Sequence, residues 1–259
     1  GSYTSSSLLS VSESVGYLAG GYLRDREHDP YSRHAFNIKV SNSLPSDRFY
    51  QTPGIPGEPS KCGQLEYDLD TLPTVSVVVT FHNEARSALL RTLYSVLSRT
   101  PEELLVDIVL VDDASDNPSD GLLLAGLPKV RLIRNDQRQG LTRSRVRGAN
   151  ASKGDTIFFL DSHCEVNLGW VTPLLDTLRQ KPNSLVCPVI DVIDQDTLDY
   201  RAAGTVLKGG FDWGLHFRWV PLTDEEKAAR VDPTAVYRSP AVAGGLFLIS
   251  APGGSSWGV

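Results

Sequence analysis

Residues 74–193 alternate between apolar runs and amphipathic segments. Four runs rich in Val, Ile and Phe suit strands that are buried on both faces of a sheet; they are residues 74–81, 106–113, 130–136 and 155–162. The segments between them are predicted to be helices, at residues 87–99, 141–152 and 170–180. Residues 185–193 form one more strand-like run. Strands that alternate with helices predict an α/β fold, with a mostly parallel sheet and helices on both faces.

The two ends of the chain have a different character. Residues 1–16 are rich in serine and lack periodicity, which is typical of disorder, and residues 45–60 contain the prolines and glycines of an extended connector. We therefore divide the chain into three parts. They are a Ser-rich and Pro/Gly-rich leading segment (residues 1–71), one α/β domain (residues 72–250) and an atypical tail (residues 251–259).

The composition argues against nucleic acid as the main partner and against a membrane-spanning helix within this chain. The chain has 25 Lys and Arg residues against 31 Asp and Glu residues, a net charge of −6, whereas nucleic-acid binding needs a dense basic face. No apolar stretch approaches the roughly 20 residues of a membrane helix.

The chain begins with Gly1-Ser2 and has no Met, so we expect a processed or truncated product, with any targeting segment upstream. The cysteines Cys62, Cys164 and Cys187 allow at most one internal disulfide.

Polar side chains follow each of the four predicted strands. In a parallel sheet, ligands bind outside the carboxyl ends of the strands, so these side chains are expected to converge on one crevice. They are Thr80, His82, Asn83 and Glu84; Asp112 and Asp113; Asn135, Asp136 and Arg138; and Asp161, Ser162 and His163. Helix capping is the alternative interpretation, and it applies best to Asp116 and Asn117.

The sequence Asp161-Ser162-His163 predicts a metal site. Side chains two residues apart in an extended segment point the same way, so Asp161 and His163 can share one target while Ser162 faces elsewhere. This arrangement excludes a Ser-His-Asp triad made of these neighbours. Mixed oxygen and nitrogen ligands fit Mn²⁺ better than Ca²⁺, and the scattered cysteines do not fit structural zinc. The alternative is an Asp-x-His sequence that occurs at a strand end by accident.

Two common phosphate-binding loops are absent from the sequence. TFHNEARS follows the first strand in place of G-x-G-x-x-G, and there is no G-x-x-x-x-G-K-[ST] loop. Bound phosphates would then be held by a metal and by arginine. The segment RNDQRQGLTRSRVRG supplies Arg138, Arg143, Arg145 and Arg147, and some of these are expected to be solvated or paired with acids. Arg138, which lies in the loop, is our candidate for a ligand role.

Seven motifs in order carry a family resemblance. They are TFHNEARSALLRT, LVDDASDNPSDG, RNDQRQGLTRSRVRGA, FLDSHCEVN, PVIDVI, KGGFDW and AGGLFLIS. Over about residues 72–250 the chain resembles the catalytic domain of the polypeptide N-acetylgalactosaminyltransferases, retaining enzymes that begin mucin-type O-glycosylation. Residues 29–48 resemble the family's pre-catalytic segment. The resemblance implies a GT-A glycosyltransferase fold, with a mostly parallel Rossmann-like sheet and helices on both faces.

The resemblance also implies a reaction and a set of site residues. The family transfers GalNAc from UDP-GalNAc to Ser or Thr of polypeptides and uses Mn²⁺, for which Asp161 and His163 would be ligands. Asp113 would contact the uracil edge, and Phe217 and Trp219 would help to form the acceptor groove, with core packing as their alternative role. The positions matching the donor site are Thr80, His82, Asp113, Arg138, Ser162, Ala243, Gly244 and Gly245. The family implies a type II membrane protein of the Golgi lumen.

The carboxyl-terminal end departs from the family pattern. The family continues into a W-G-G-E-N motif, a His that is the third metal ligand and a lectin domain, and Cys62 stands near a cysteine whose disulfide partner lies in that later part. Here the sequence ends in APGGSSWGV. We therefore expect weak or absent transfer, and partial exposure of Val242, Leu246 and Leu248.

Two functions stay open: GalNAc transfer, and a non-catalytic family member that binds partners or nucleotide only. An inverting transferase is a third and less favoured class. It would need a base near the acceptor, for which Asp194 or Asp196 is the candidate.

Overall fold

The computed structural model describes residues 34–48, 61–203, 206–232 and 234–252. Residues 1–16, most of the predicted connector at residues 45–60 and most of the tail at residues 251–259 lie outside the described residues.

A five-stranded sheet forms the centre of the domain, in the order β3-β2-β1-β4-β9. The strands in chain order are β1 (Val75–Phe81), β2 (Leu105–Asp112), β3 (Val130–Arg134), β4 (Thr156–Asp161), β5 (Val192–Ile193), β6 (Tyr200–Arg201), β7 (Leu207–Phe211), β8 (Phe217–Pro221) and β9 (Phe247–Ser250). Strands β1 to β4 are parallel, and β9 is antiparallel to β4. The predicted mostly parallel sheet is confirmed.

Helices cover both faces of this sheet. In chain order they are α1 (Ile38–Ser43), α2 (Arg86–Arg99), α3 (Ser119–Leu122), α4 (Leu141–Ala151), α5 (Thr172–Gln180) and α6 (Asp224–Ala229). Helices α2 and α5 bury leucines such as Leu93 and Leu175 against one face, in a cluster with Val77 and Phe158. On the other face, α4 contributes to a second cluster with Val78 and Val111. Within the described ranges, no helix is long and apolar enough to cross a membrane.

Gly148 sets how closely α4 approaches the sheet. A Cβ at this position would lie 2.4 Å from Cγ1 of Val78 and 3.1 Å from Cγ2 of Val111. Contacts that short are repulsive, so only glycine lets the helix pack at this distance. This close packing seats α4 on β1 and β2, next to the part of the sheet that leads to their carboxyl ends.

The prediction of a strand at residues 185–193 is largely wrong. The structure has only the short β5 there, and Val186 makes an isolated antiparallel bridge to Leu248. Pro188 explains the difference, because proline lacks the N–H that a continuing ladder needs.

The bridge from Val186 also corrects an expectation about burial. Val186 N–H donates to the Leu248 carbonyl (3.0 Å), and Leu248 N–H donates to the Val186 carbonyl (2.8 Å). Leu248 is therefore fully buried between β4 and this segment, not partly exposed as we expected. Leu246 is half-buried and Val242 is exposed, as expected.

Candidate functional site

The carboxyl ends of β1, β2 and β4 meet at one edge of the sheet. Thr80 lies in register with Val111 of β2 on one side and with Asp161 of β4 on the other. The Thr80 hydroxyl is buried and has no hydrogen-bond partner among the residues that the structure describes. A buried hydroxyl without a partner costs about 1–3 kcal/mol. A bound molecule that supplied a partner would therefore be favoured at this point.

Asp161 is held by an arginine that the sequence did not single out. Arg145 Nη2 lies 3.0 Å from Asp161 Oδ1, and its Nη1 donates to the Gly244 carbonyl at 2.6 Å. The Arg145 guanidinium also lies 5.9 Å from the ring centroid of Phe159 and 5.8 Å from that of Phe247. Arg145 thus joins the end of β4 to the glycine turn before β9.

The glycine turn itself fits against the Asp161 carboxylate. A Cβ at Gly245 would lie 2.3 Å from Asp161 Oδ2. The side chain of Asp161 cannot easily move away, because Arg145 holds its other oxygen. A side chain at position 245 would therefore clash with Asp161, and the turn over residues 243–245 lies next to this carboxylate.

Glu84 contacts both residues that follow Asp161. Its Oε2 accepts hydrogen bonds from the Ser162 hydroxyl (2.8 Å) and from His163 Nδ1 (3.0 Å), and its Oε1 accepts from the Ala85 N–H (2.8 Å). Ser162 and His163 therefore share one target, which differs from the expected alternation. The cause is that β4 ends at Asp161, so strand geometry no longer applies to residues 162 and 163.

The pKa values of Glu84 and His163 change in opposite directions. The hydrogen bond to Glu84 raises the pKa of His163, although burial opposes the change. Burial alone would raise the pKa of Glu84, but the contacts with His163, Ser162 and Ala85 overcome it and lower the pKa. With its Nδ1 bound to the Glu84 carboxylate, His163 keeps its Nε2 for another partner.

Asp113 is buried and holds the loop that connects β3 to α4. Its Oδ1 accepts from Asn135 Nδ2 (2.8 Å) and from the Gln139 N–H (2.8 Å), and its Oδ2 accepts from the Gly140 N–H (3.0 Å). Burial would raise the pKa of Asp113, but these hydrogen bonds and the charge of Arg138 lower it. Arg138 Nε lies 3.4 Å from Oδ2, and the Arg138 side chain is 54% exposed. Asp113 thus has a structural role in the chain alone, and its contact with uracil stays a prediction.

His82 and the two aromatic residues complete the predicted set. His82 is exposed, and its Nδ1 lies 2.9 Å from the Asp113 carbonyl oxygen, so it belongs to the same edge of the sheet.

Phe217 and Trp219 lie on β8, which pairs with β7 to form a hairpin. Their rings meet edge to face with centroids 5.1 Å apart, and they are 36% and 49% exposed. Neither aromatic residue belongs to the buried core.

Comparison with known proteins assigns the family. The model of glycosyl transferase family 2 matches residues 76–247, which include all of the site residues named above and, apart from Val75, the first four strands. The chain belongs to glycosyl transferase family 2.

Curated relatives of this family 2 domain are polypeptide N-acetylgalactosaminyltransferases. Polypeptide N-acetylgalactosaminyltransferase 14 of Homo sapiens is 51% identical over 85% of the chain, and 39% of its own length is covered. Polypeptide N-acetylgalactosaminyltransferase 16 of Mus musculus is 50% identical over 90% of the chain, with 41% of its own length covered. The chain therefore spans about 40% of the length of these curated relatives.

A solved structure confirms the fold of the family 2 domain. A crystal structure of GalNAc-T7 with UDP, GalNAc and Mn²⁺ superposes with a TM-score of 0.75 and 36% sequence identity. It covers 85% of this chain, which covers 41% of the solved chain. The predicted GT-A fold and the predicted family are thus confirmed.

The sequence did not identify Glu84 and Arg145 as supporting residues of the site. Glu84 appeared only among the residues that follow β1, although an acid beside a histidine and a hydroxyl is a common supporting contact. Arg145 was one of four arginines, and nothing in their spacing separated it from the others. Only the pairing of β4 with β9 brings Arg145, Asp161 and the glycine turn together.

Proposed function

We propose that this chain carries the donor-binding part of a retaining glycosyltransferase that moves GalNAc from UDP-GalNAc to Ser or Thr hydroxyls of polypeptides. One observation carries the proposal. Thr80, Asp161, Ser162 and His163 converge at one edge of a family 2 sheet, with Glu84 orienting the last two. The names of the relatives support the sugar and the acceptor class.

Asp161 and His163 fit a divalent cation such as Mn²⁺, the ion that accompanies UDP and GalNAc in the GalNAc-T7 structure. The fit rests on the chemistry of the donors: a carboxylate, and an imidazole whose other nitrogen is bound to a carboxylate, an arrangement typical of metal-bound histidine. When bound, the ion would neutralise negative charge on the leaving diphosphate. Among the described residues, no group of three or more His, Cys, Asp or Glu side chains could hold a metal.

The other residues have proposed roles in binding and orientation. The Thr80 hydroxyl would gain a partner from the nucleotide-sugar, and Arg138, which is half exposed, would reach the donor from the loop before α4. Arg145 contacts both Asp161 and the Gly244 carbonyl, and it would keep them in place beside the sugar. The exposed rings of Phe217 and Trp219 would contact the acceptor peptide.

A second candidate is nucleotide binding without transfer. The observation that favours it is that, within the described ranges, Asp161 and His163 do not form part of a group of three or more possible metal ligands. In either case we propose that the longer protein is anchored in the Golgi membrane with this domain in the lumen. Microscopy of a tagged longer form would test that location.

Calorimetry with UDP, with and without Mn²⁺, tests the donor site. We expect tight binding only with Mn²⁺, and we expect Asp161→Ala to abolish both the tight binding and its dependence on metal. Asp70→Ala, at an exposed residue just before the amino end of β1 and away from the site, is the control and should bind as the wild type does. Equal UDP affinity with and without Mn²⁺ would refute the proposed site.

Mass spectrometry distinguishes the two candidates. The chain is incubated with UDP-GalNAc, Mn²⁺ and a Thr-rich peptide. GalNAc addition that is lost in Asp161→Ala supports transfer. Metal-dependent UDP binding without any addition supports the nucleotide-binding candidate.

A further inference from the structure

Residues 34–48, which we call the strap, lie against α2 and include α1. Ile38 of α1 packs with Ala85 and Ala88 at the start of α2. The Asn37 N–H donates to the Gln195 carbonyl at 2.8 Å, so the strap also contacts the turn between β5 and β6. The strap therefore bridges two separate parts of the domain.

The last residue of the strap enters a buried ion cluster. Arg48 Nε lies 2.8 Å from Glu165 Oε2, and Arg48 Nη2 lies 2.5 Å from Glu165 Oε1. Arg91 of α2 contacts the same Oε1 at 3.1 Å. The side chains of Arg48, Glu165 and Arg91 are only 7%, 5% and 2% exposed. Arg48 Nη1 also donates to the Leu198 carbonyl at 2.8 Å.

Two arginines of α2 donate hydrogen bonds to backbone carbonyls of the strap. Arg91 Nη1 donates to the Ser41 carbonyl (2.8 Å), and Arg99 Nη2 donates to the Arg48 carbonyl (2.5 Å). The hydroxyl of Ser41 lies 2.7 Å from that of Ser87. The strap is therefore held by buried polar contacts along its length, as well as by the apolar contact of α1.

Helix α2 also holds the loop that contains His163, and Glu165 of the ion cluster belongs to this loop. This loop, residues 162–166, follows β4 directly and carries Glu165 two residues after His163. Thr92 donates to the Ser162 carbonyl (2.9 Å), the Val166 N–H donates to the Ser95 hydroxyl (3.1 Å), and Arg99 donates to the Val166 carbonyl. Glu165 is thus the side chain through which the strap reaches this loop.

We propose that the strap is a positioning element of the donor site, in which Arg48 acts through Glu165 to hold Ser162 and His163 in place. This inference rests on the proposed function. A carboxylate that receives two hydrogen bonds from one planar guanidinium is fixed in both position and orientation. Loss of Arg48 would leave Glu165 with the Arg91 contact on one oxygen, so its side chain would lose its fixed orientation. The loop would then depend on its contacts with Thr92, Ser95 and Arg99.

The experiment compares Arg48→Met and Arg48→Lys with Arg131→Met in the full chain. Arg131 is the matched control, because it pairs with buried Asp107 near the amino ends of the strands, away from the site. Without metal, hydrogen exchange should be faster at residues 162–166 in both Arg48 variants, with little change in β1 and β2. With Mn²⁺, UDP affinity should fall about 10–100-fold in Arg48→Met, the range typical of lost supporting contacts at metal sites. Lysine should restore it only in part, since it cannot form the two-point contact.

Several results would overturn the inference. Unchanged exchange at residues 162–166 in either Arg48 variant refutes it, and so does faster exchange spread evenly over the sheet, which would make Arg48 a general stabiliser. If Arg48→Met does not fold, hydrogen exchange in Arg48→Lys tests the inference in the same way, by comparing residues 162–166 with the rest of the sheet. Absence of Mn²⁺-dependent UDP binding in the wild type refutes the proposed function instead, and the exchange measurement still tests the strap.

Discussion

Replacing Asp113 by Asn tests whether this carboxylate stabilises the fold of the site, in addition to its proposed contact with the donor. The change keeps the size of the side chain but converts one acceptor oxygen into a donor. The remaining oxygen can still accept from Asn135 and from the Gln139 N–H. The new amide nitrogen then faces the Gly140 N–H, which now has a donor in place of its acceptor.

The expected loss of stability follows from these contacts. A buried donor left without its acceptor costs about 1–3 kcal/mol, and a hydrogen bond to a charged group contributes about 1.5–3 kcal/mol. Gly140 is also the residue that precedes α4, where a negative charge stabilises the helix start. We therefore expect the free energy of unfolding to fall by about 2–3 kcal/mol.

The effect should depend on pH in a defined direction. Because the pKa of Asp113 in the folded chain is lowered, its ionised form stabilises the fold above the pKa of the unfolded chain, about 3.9. That contribution is lost as the pH falls through the folded pKa. The difference in stability between wild type and Asp113→Asn should therefore be complete at neutral pH and shrink below about pH 4.

Urea unfolding at pH 7 and at low pH measures both effects. Asp136→Asn is the control, because it removes the same charge from an exposed neighbour of the same loop. A loss of less than about 0.5 kcal/mol in Asp113→Asn, the range of ordinary surface changes, would refute this reasoning. Calorimetry with UDP and CDP then tests base recognition: a variant that still distinguishes them as well as wild type assigns Asp113 a structural role only.

Two further predictions concern other contacts of the site and the fold. Glu84→Gln should weaken Mn²⁺-dependent UDP binding about 10–100-fold, because the charge that orients His163 is lost; calorimetry checks this, and unchanged affinity would contradict it. Gly148→Ala should destabilise the fold by about 1–3 kcal/mol, because the new methyl group meets Val78 at 2.4 Å. Thermal or urea unfolding measures that loss, and a neutral effect would mean that α4 can shift away from the sheet.

The sequence predicted the sheet well because its strands are buried on both faces. In β1 and β4 nearly every residue is buried, so continuous apolar runs mark them without ambiguity. The short strands β5 and β6 and the hairpin of β7 and β8 have no such pattern. Every residue of β8 is exposed, and its pairing depends on contacts with β7.

The sequence predicted which positions belong to the site. It did not predict the hydrogen bonds that hold their side chains. Asp161 and His163 stand out because an acid and an imidazole follow an apolar run. Their supporting residues, Arg145 and Glu84, lie on other elements and reach them only through tertiary packing. The structural role of Asp113 could not be seen either, because nothing in its sequence neighbourhood shows that the backbone of residues 139 and 140 folds back onto it.

The two edges of the central sheet bear on how the protein behaves when concentrated. Strand β3, at one edge, carries Arg131 and Arg134, and charged side chains discourage the addition of strands from other molecules. At the other edge, β9 already shares hydrogen bonds with Val186. Self-association should therefore proceed through the apolar tip of the β7–β8 hairpin, where Trp213 is fully exposed. Contacts at this tip do not add strands to the central sheet, so we expect the resulting clusters to lack cross-β order.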